Sequence, residues 1–242
     1  MKLLVFQKGF NFSQDGPGNR LVYHLQGCNL QCPWCSNPEG IACSGGNSST
    51  VEELTEEARR SSLMFFDGGG VTLTGGEATI QFDAVKEFLT ALKASGISTC
   101  IETNGLNPRL PELFGVLDFL IMDLKHYDAE KHKAITGLPN DVTCANIRSA
   151  IAKKMNLSLR IPLIGTFNAS EEDAFGFAAL LTELGAPGHA TLELLPYHEY
   201  GKDKYARLGK TYTMDERARI TPSQMSVFSH VLEQTGIKII KT

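Results

Sequence analysis

Short apolar runs rich in β-branched residues alternate with amphipathic stretches almost from end to end of the chain. Residues 21–26 read as a strand. Thr50 with Glu53 three positions on makes a capping-box pattern that opens a helix to residue 64. A short strand over 71–74 runs into Gly75-Gly76-Glu77, and a helix over 82–95 puts Ala84, Val85, Phe88, Leu89 and Leu92 on one face. Strands over 97–102 and 117–124, helices over 129–136 and 142–153, and a strand over 157–163 continue the alternation. Ser170 caps a helix to residue 184, 191–195 is a sixth strand, and Thr221-Pro222 opens a last helix. Six strand–helix repeats with right-handed crossovers imply a parallel sheet. Periodicity does not separate an open doubly wound sheet from a barrel-like arc. Gly45-Gly46 with Asn47-Ser48-Ser49 reads as a flexible connection, not a domain boundary.

At 242 residues, 42% hydrophobic and 21% charged, the chain fits one large domain or two small ones. A formal charge of −4 gives no support for a nucleic-acid partner and leaves a protein partner open. The first ten residues, MKLLVFQKGF, are too briefly apolar for a signal peptide. No run approaches the ~18 apolar residues of a membrane span. Without such an address the chain reads as cytoplasmic, with no membrane partner. Its six cysteines are then expected to be thiols or ligands, not disulfides.

Three of those cysteines, Cys28, Cys32 and Cys35, form a C-x-x-x-C-x-x-C run. Three thiolates on one short loop can ligate three irons of a [4Fe-4S] cube and leave the fourth open to a small molecule. A structural zinc site ordinarily takes two C-x-x-C pairs, and no second pair exists here, since Cys43, Cys100 and Cys144 stand singly. Zinc and incidental thiols are the alternatives to an open cluster.

The remaining unusual polar groups fall at strand ends, where parallel α/β folds bind ligands. Gly75-Gly76-Glu77 would let a ligand approach the backbone, or would simply cap a strand. Glu102-Thr103-Asn104-Gly105 and Asp123-Leu124-Lys125 put carboxylates at half-buried strand ends, where a cation or ammonium partner is expected. Asp123 and Lys125, two apart, share a strand face and can also be a structural ion pair. A lone His198 is more often structural than ligating. Ser13-Gln14-Asp15-Gly16-Pro17-Gly18-Asn19-Arg20 can be an ordinary glycine–proline turn. Arg160 can reach the same end of the strands or sit in a surface ion pair.

Taken in order, these motifs resemble the radical S-adenosylmethionine (SAM) superfamily. Within it they are similar to the activating enzymes of glycyl-radical enzymes, the family of the pyruvate formate-lyase activating enzyme. The cysteine loop with Trp34, the G-G-E, the D-x-K, the Leu194-Leu195-Pro196-Tyr197-His198-Glu199-Tyr200-Gly201-Lys202 stretch (L-L-P-Y-H-E-x-G) and the D-G-P-G-x-R carry the resemblance over residues 13–201. It implies a partial (β/α)6 TIM-like barrel and a single radical SAM domain over 1–242. It also implies a [4Fe-4S] cluster on Cys28, Cys32 and Cys35 whose open iron is chelated by SAM. Contacts to SAM would come from Trp34, Ser36, Gly75, Gly76, Glu77, Asp123, Lys125 and His198. A monovalent cation would be held by Glu102, Thr103 and Asp123, and Asp15 would lie near the protein substrate. The implied partners are a glycyl-radical enzyme, whose glycine Cα hydrogen is abstracted, and an electron donor such as flavodoxin or ferredoxin.

Departures from the family pattern are Ser36, where many relatives have histidine or tyrosine, and Glu102, where they have the shorter aspartate. The stretch 36–71 is too short for the ferredoxin-like insert of several activating enzymes, and Cys43 within it is most simply a bystander. Two other readings compete. One is radical SAM chemistry on a small molecule or peptide. The other is a colourless zinc-stabilised binding module without catalysis.

Overall fold

The computed structural model describes residues 1–241. Its nine strands follow the order β3-β1-β2-β4-β5-β6-β7-β8-β9, so β3 and β9 are free edges and the sheet is open. Parallel pairing runs through β2, β4 and β5 and again through β7, β8 and β9, and helices connect most of these strands. The fold is α/β. The chain divides into two compact units.

The first unit comprises 1–29, 37–103 and 109–121. It holds β1 (Lys2–Phe12), β2 (Asn19–Leu25), β3 (Asn47–Thr50), β4 (Gly70–Gly75) and β5 (Ser98–Thr103). Helix α1 (Val51–Arg60) begins at the expected box, Thr50 accepting from the Glu53 amide and the Glu53 carboxylate from that of Thr50. It buries Val51, Leu54, Thr55 and Ala58, the one-face spacing of a helix. Helix α2 (Phe82–Ala94) buries all five residues expected of it.

Three features depart from the sequence reading. The N-terminal run is an eleven-residue strand paired antiparallel to β2. Beyond Val5 its residues are mostly exposed, so no alternation announces it. The stretch read as a flexible connection contains β3, antiparallel to β1 at the edge of the sheet. Its polar Asn-Ser-Ser-Thr sequence has no apolar residue and a single strand former, Thr50, which suffices for an edge strand. Helix α1 stops at Arg60, and a single 3₁₀ turn follows (Ser62–Met64). Leu63 is 94% exposed, so the apolar residues that extended the reading do not continue the buried face.

The second unit comprises 30–36, 104–108 and 122–241. Strand β6 (Phe119–Asp123) begins in the first unit and ends in this one. It is followed by α3 (Ala129–Thr136), α4 (Asp141–Ala152), β7 (Leu157–Leu163), α5 (Glu171–Glu183) and β8 (Ala190–Pro196). The short α6 (Lys202–Arg207), α7 (Pro222–Glu233) and β9 (Lys238–Ile240) complete it. Ser170 with Asp173 and Thr221 with Gln224 form complete capping boxes, and Pro222 fills the first position of α7.

Behind this unit's strand ends lies a buried histidine. His126 is fully buried among Tyr127, Phe167 and Phe177, its Nδ1 accepts the Asp128 amide at 2.9 Å, and its Nε2 stands 3.7 Å from Asp173. Burial holds His126 and His132 below the ordinary histidine value of 6.5. The folded state therefore binds these protons less tightly than the unfolded chain. The stability they confer is complete above that ordinary value and is lost as pH falls below it. Thermal unfolding followed by circular dichroism should show Tm dropping as the pH is lowered from about 7.5 to about 5.5. The drop should be shallower in His126→Gln; equal slopes in the two proteins would assign the acid loss to other groups.

Candidate active site

Each half of the cysteine loop is built by its own unit. In the first, β2 ends at Leu25, and Gln26 fixes the turn. The Gln26 side-chain amide donates to the carbonyls of Glu39 and Ala42 at 2.8 and 2.7 Å. Gly27 at φ +99° donates to Gly40 at 2.8 Å and Cys28 to Ile41 at 3.1 Å. Cys28 thus leaves the strand end on a backbone held from both sides.

In the second unit, the Cys35 amide donates to the Cys32 carbonyl at 3.1 Å, closing a turn. Trp34 is buried in an apolar cluster with Ile164, Tyr197 and Ala218, against which Cys32 and Phe167 also pack. Burial pushes the Cys32 thiol up to about 11. From the stretch after β8, the Tyr205 phenol donates to the Cys32 carbonyl at 3.4 Å. Gly201 lies so close that a Cβ there would stand 2.1 Å from the Cys35 carbonyl oxygen. Ser36, half-buried, follows this turn.

The G-G-E segment closes on the first unit's loop. Gly75 takes φ +120°, which glycine tolerates. The Gly76 amide donates to Leu25 at 2.9 Å and the Glu77 amide to Gly27 at 2.7 Å. Both donors serve the chain itself. Glu77, 2% exposed, accepts from the Thr79 amide at 2.9 Å and from the Thr103 hydroxyl at 2.7 Å. Glu102 accepts the Thr74 hydroxyl at 2.8 Å. As successive residues of β5, Glu102 and Thr103 leave on opposite faces, so their side chains are joined to different partners.

In the second unit Asp123 and Lys125 share a face, as their spacing requires, with Nζ 2.6 Å from Oδ2. Lys125 is anchored at its carbonyl by Asn168. Arg160 and Glu193 form a pair at 2.8 Å whose side chains are 11% and 5% exposed, which makes it buried and not a surface pair. His198 is exposed and stacked on Tyr200, ring centres 4.0 Å apart, and its Nδ1 accepts the Tyr200 amide at 3.4 Å. Partial burial lowers its pKa.

The Asp15 turn is organised by the arginine that ends the D-G-P-G-x-R motif. Arg20 is fully buried and donates to Thr72 Oγ1 and the Val71 carbonyl, both at 2.7 Å. The Thr72 hydroxyl in turn donates to the Asp15 carbonyl at 2.6 Å. The Asp15 carboxylate accepts from the Asn11 amide. Gln26 and Tyr205 have no trace in the sequence beyond proximity to motifs, because each acts on a backbone remote along the chain, whereas Gly201 is the glycine of the L-L-P-Y-H-E-x-G stretch and the structure adds its packing on Cys35.

These donors fit a cluster in kind. All six cysteines are thiols, the backbone at Cys28 is held by Gly40 and Ile41, and that at Cys35 packs so closely on Gly201 that a side chain there would displace it. Among the described residues no three His, Cys, Asp or Glu side chains stand grouped at metal-binding distance, so the ligand set rests on the spacing of the run. No helix among the described residues is long and apolar enough to cross a membrane.

Comparison with known proteins gives the class. The family model of the Radical SAM superfamily matches residues 22–178, and the chain belongs to that superfamily of enzymes. It is 32% identical over 231 residues to the pyruvate formate-lyase 1-activating enzyme of Escherichia coli (strain K12), covering 93% of each chain. It is 28% identical to the choline trimethylamine-lyase activating enzyme of Oleidesulfovibrio alaskensis, covering 93% of each. That alignment spans 287 positions, more than the chain possesses, which requires insertions in the relative. Among solved structures, a domain of a pyruvate-formate lyase-activating enzyme from Bacteroides vulgatus matches 72% of this chain and 98% of its own, with TM-score 0.58 and 27% identity. The superfamily implies a [4Fe-4S] cluster and SAM.

Proposed function

We propose that this protein is a glycyl-radical enzyme activating enzyme, the chain acting as one radical SAM domain. The observation that carries this is the extent of the similarity. It runs over 93% of both chains to a named activating enzyme and so takes in far more than the cysteine run. Cys28, Cys32 and Cys35 would hold the cluster. When reduced, cluster and SAM together supply a carbon-centred radical able to take a hydrogen atom from a glycine Cα.

The chain's own residues bind, orient and exclude. With the amides of Gly76 and Glu77 engaged by Leu25 and Gly27, the segment offers carbonyl acceptors, which suit an ammonium group such as that of SAM. Lys125, held against Asp123, would present a cation to the SAM carboxylate, and His198 with Trp34 and Ser36 would flank the nucleoside. A monovalent cation would be held by Glu102, Thr103 and Asp123, with Thr103 contributing its backbone carbonyl because its side chain leaves β5 on the face opposite to Glu102. Asp15 would meet the partner's glycine-bearing loop. The protein's task is to set the reactive carbon against its hydrogen donor and keep water out. A glycyl-radical enzyme is the protein partner on this reading, flavodoxin or ferredoxin the electron source, and the cytoplasm the compartment.

The test measures 5'-deoxyadenosine and glycyl radical in parallel, the latter by electron paramagnetic resonance with a candidate partner. His198→Ala should lower SAM cleavage about tenfold or more even without partner, since it removes a cofactor contact. Asp15→Ala should cleave SAM normally alone yet yield little glycyl radical, because Arg20 and Thr72 hold the turn through its backbone. Equal loss of both products in a destabilised Asp15→Ala would sink the substrate-contact role. Vigorous SAM cleavage with no radical on any partner tried would favour a small-molecule or peptide substrate.

A further inference from the structure

Beyond Val5, strand β1 has a neighbour on one side only. The edge strand β3 pairs with residues 2–5 and no further, and among the described residues no other strand lies on that side. An open hollow of about 160 Å³, lined by Phe6, Lys8, Asn47 and Ser49 among others, marks where the two strands part. From there β1 continues through residues 7–12, all exposed but the half-buried Asn11. Its other side is paired throughout with β2, and the Ser13 amide donates to the Gly18 carbonyl at 3.0 Å as the last rung. Antiparallel rungs alternate, so Gln7, Gly9 and Asn11 turn their backbone groups to β2. Lys8, Phe10 and Phe12 turn theirs outward.

The side chains of this stretch are aromatic where strand edges are usually polar. Phe10 and Phe12, two apart, leave by one face at 44% and 52% exposure. Phe65 meets Phe10 with ring centres 6.4 Å apart, and Phe66, itself 50% exposed, stacks on Phe12 at 5.8 Å. Leu63 and Met64, also exposed, precede them. The backbone beneath is pinned. Asn19 donates its main-chain amide to the Phe66 carbonyl at 3.1 Å and its side-chain amide to that of Met64 at 2.8 Å. A Cβ at Gly69 would stand 2.0 Å from the Asn19 carbonyl oxygen. Free edges are ordinarily blunted by charge, proline or a bulge. Here the bulge of β1 lies before the open stretch, between Val5 and Gln7, and the one charge, Lys8, is offset by Glu57 at 2.6 Å.

We propose that this edge pairs with the same edge of a second copy of the chain, β1 to β1, antiparallel across a two-fold axis at Phe10. Three observations choose that occupant. The outward residues are self-complementary, Phe10 falling opposite Phe10 and Lys8 opposite Phe12, so every outward rung closes. A two-fold axis normal to the sheet keeps its faces, so the exposed rings of both copies meet on one side with no like charges opposed. The half-exposed rings of Phe10, Phe12 and Phe66 keep on the order of 300 Å² in water. Leu63, Met64 and the strand edge bring the surface to the order of the ~800 Å² per partner that a standard interface buries.

The test is the oligomeric state of the anaerobically reconstituted protein. Sedimentation velocity should show the wild type passing from monomer to dimer between about 1 and about 100 µM. Over the same range, residue-resolved amide exchange should slow at Lys8, Phe10 and Phe12. Lys8→Pro deletes one outward N–H at a position where an edge strand accepts proline, and should weaken the dimer at least about tenfold. Lys8→Ala removes only an exposed ion pair and should stay within about twofold of wild type. Phe10→Glu/Phe12→Glu opposes carboxylates across the axis and should be monomeric throughout, with wild-type circular dichroism. Phe175→Glu, exposed on α5, should change nothing.

A wild type that stays monomeric to about 100 µM, its three amides exchanging at one rate at every concentration, would overturn the proposal and leave the edge to another protein. A dimer of unchanged affinity in both Lys8→Pro and Phe10→Glu/Phe12→Glu would overturn it too, placing the interface elsewhere. If one variant fails to fold, the other decides. If neither folds, the exchange of the three amides in the wild type decides alone.

Discussion

Cys28→Ala, Cys32→Ala and Cys35→Ala are each expected to reduce SAM cleavage to background. Each should also strip most of the roughly four irons that anaerobic reconstitution should load into the wild type. Three thiolates are the minimum that leaves a single open iron, so losing any one removes a protein ligand that nothing replaces. The other cysteines provide the contrast. Cys100 in β5 and Cys144 in α4 are buried and stand singly in sequence, so neither belongs to the three-cysteine run. Cys43 is the informative control. It is exposed, and its sulfur would stand 3.6 Å from a Cβ built on Gly27, the residue before Cys28. Iron content and 5'-deoxyadenosine yield should stay near wild type in Cys43→Ala. If that variant lost its iron as completely as Cys32→Ala, the three-ligand assignment would fail.

Gly76→Val should be among the most damaging changes outside the cysteines. A Cβ at this position would lie 2.3 Å from the Gly27 carbonyl oxygen and 2.5 Å from that of Gly40, both backbone atoms that cannot swing aside. The Gly27 carbonyl also accepts the Glu77 amide, so displacing it loosens the turn that delivers Cys28. Overpacking in a tight interior commonly costs about 1–3 kcal/mol, and a clash with two fixed carbonyls belongs at or beyond the top of that range. Even Gly76→Ala should lower Tm by several degrees and weaken SAM binding measurably. Gly115→Ala, where nothing lies within 4 Å of the new methyl, should do neither. Wild-type Tm and SAM affinity in Gly76→Ala would remove Gly76 from the site and from the packing beneath it. The glycine that sequence reads as room for a ligand is here filled first by the chain's own backbone.

The sequence alone determined what depends on local spacing. The three-cysteine run, the capping boxes at Thr50, Ser170 and Thr221, the buried face of α2 and the shared face of Asp123 and Lys125 all follow from residues a few positions apart. Helix and strand periods express themselves over such distances. The tertiary structure decided everything that joins distant segments. Arg20 fixes the Asp15 turn through Thr72, fifty-two residues away, and Tyr205 reaches Cys32 across 173 positions. The edge strand β3 is held by its antiparallel pairing with β1, since its polar side chains show no apolar alternation that would announce a strand. A buried arginine, a glycine pressed on a carbonyl and a tyrosine laid over a cysteine loop leave no periodic trace. Their physical cause is a partner that folding alone brings within reach.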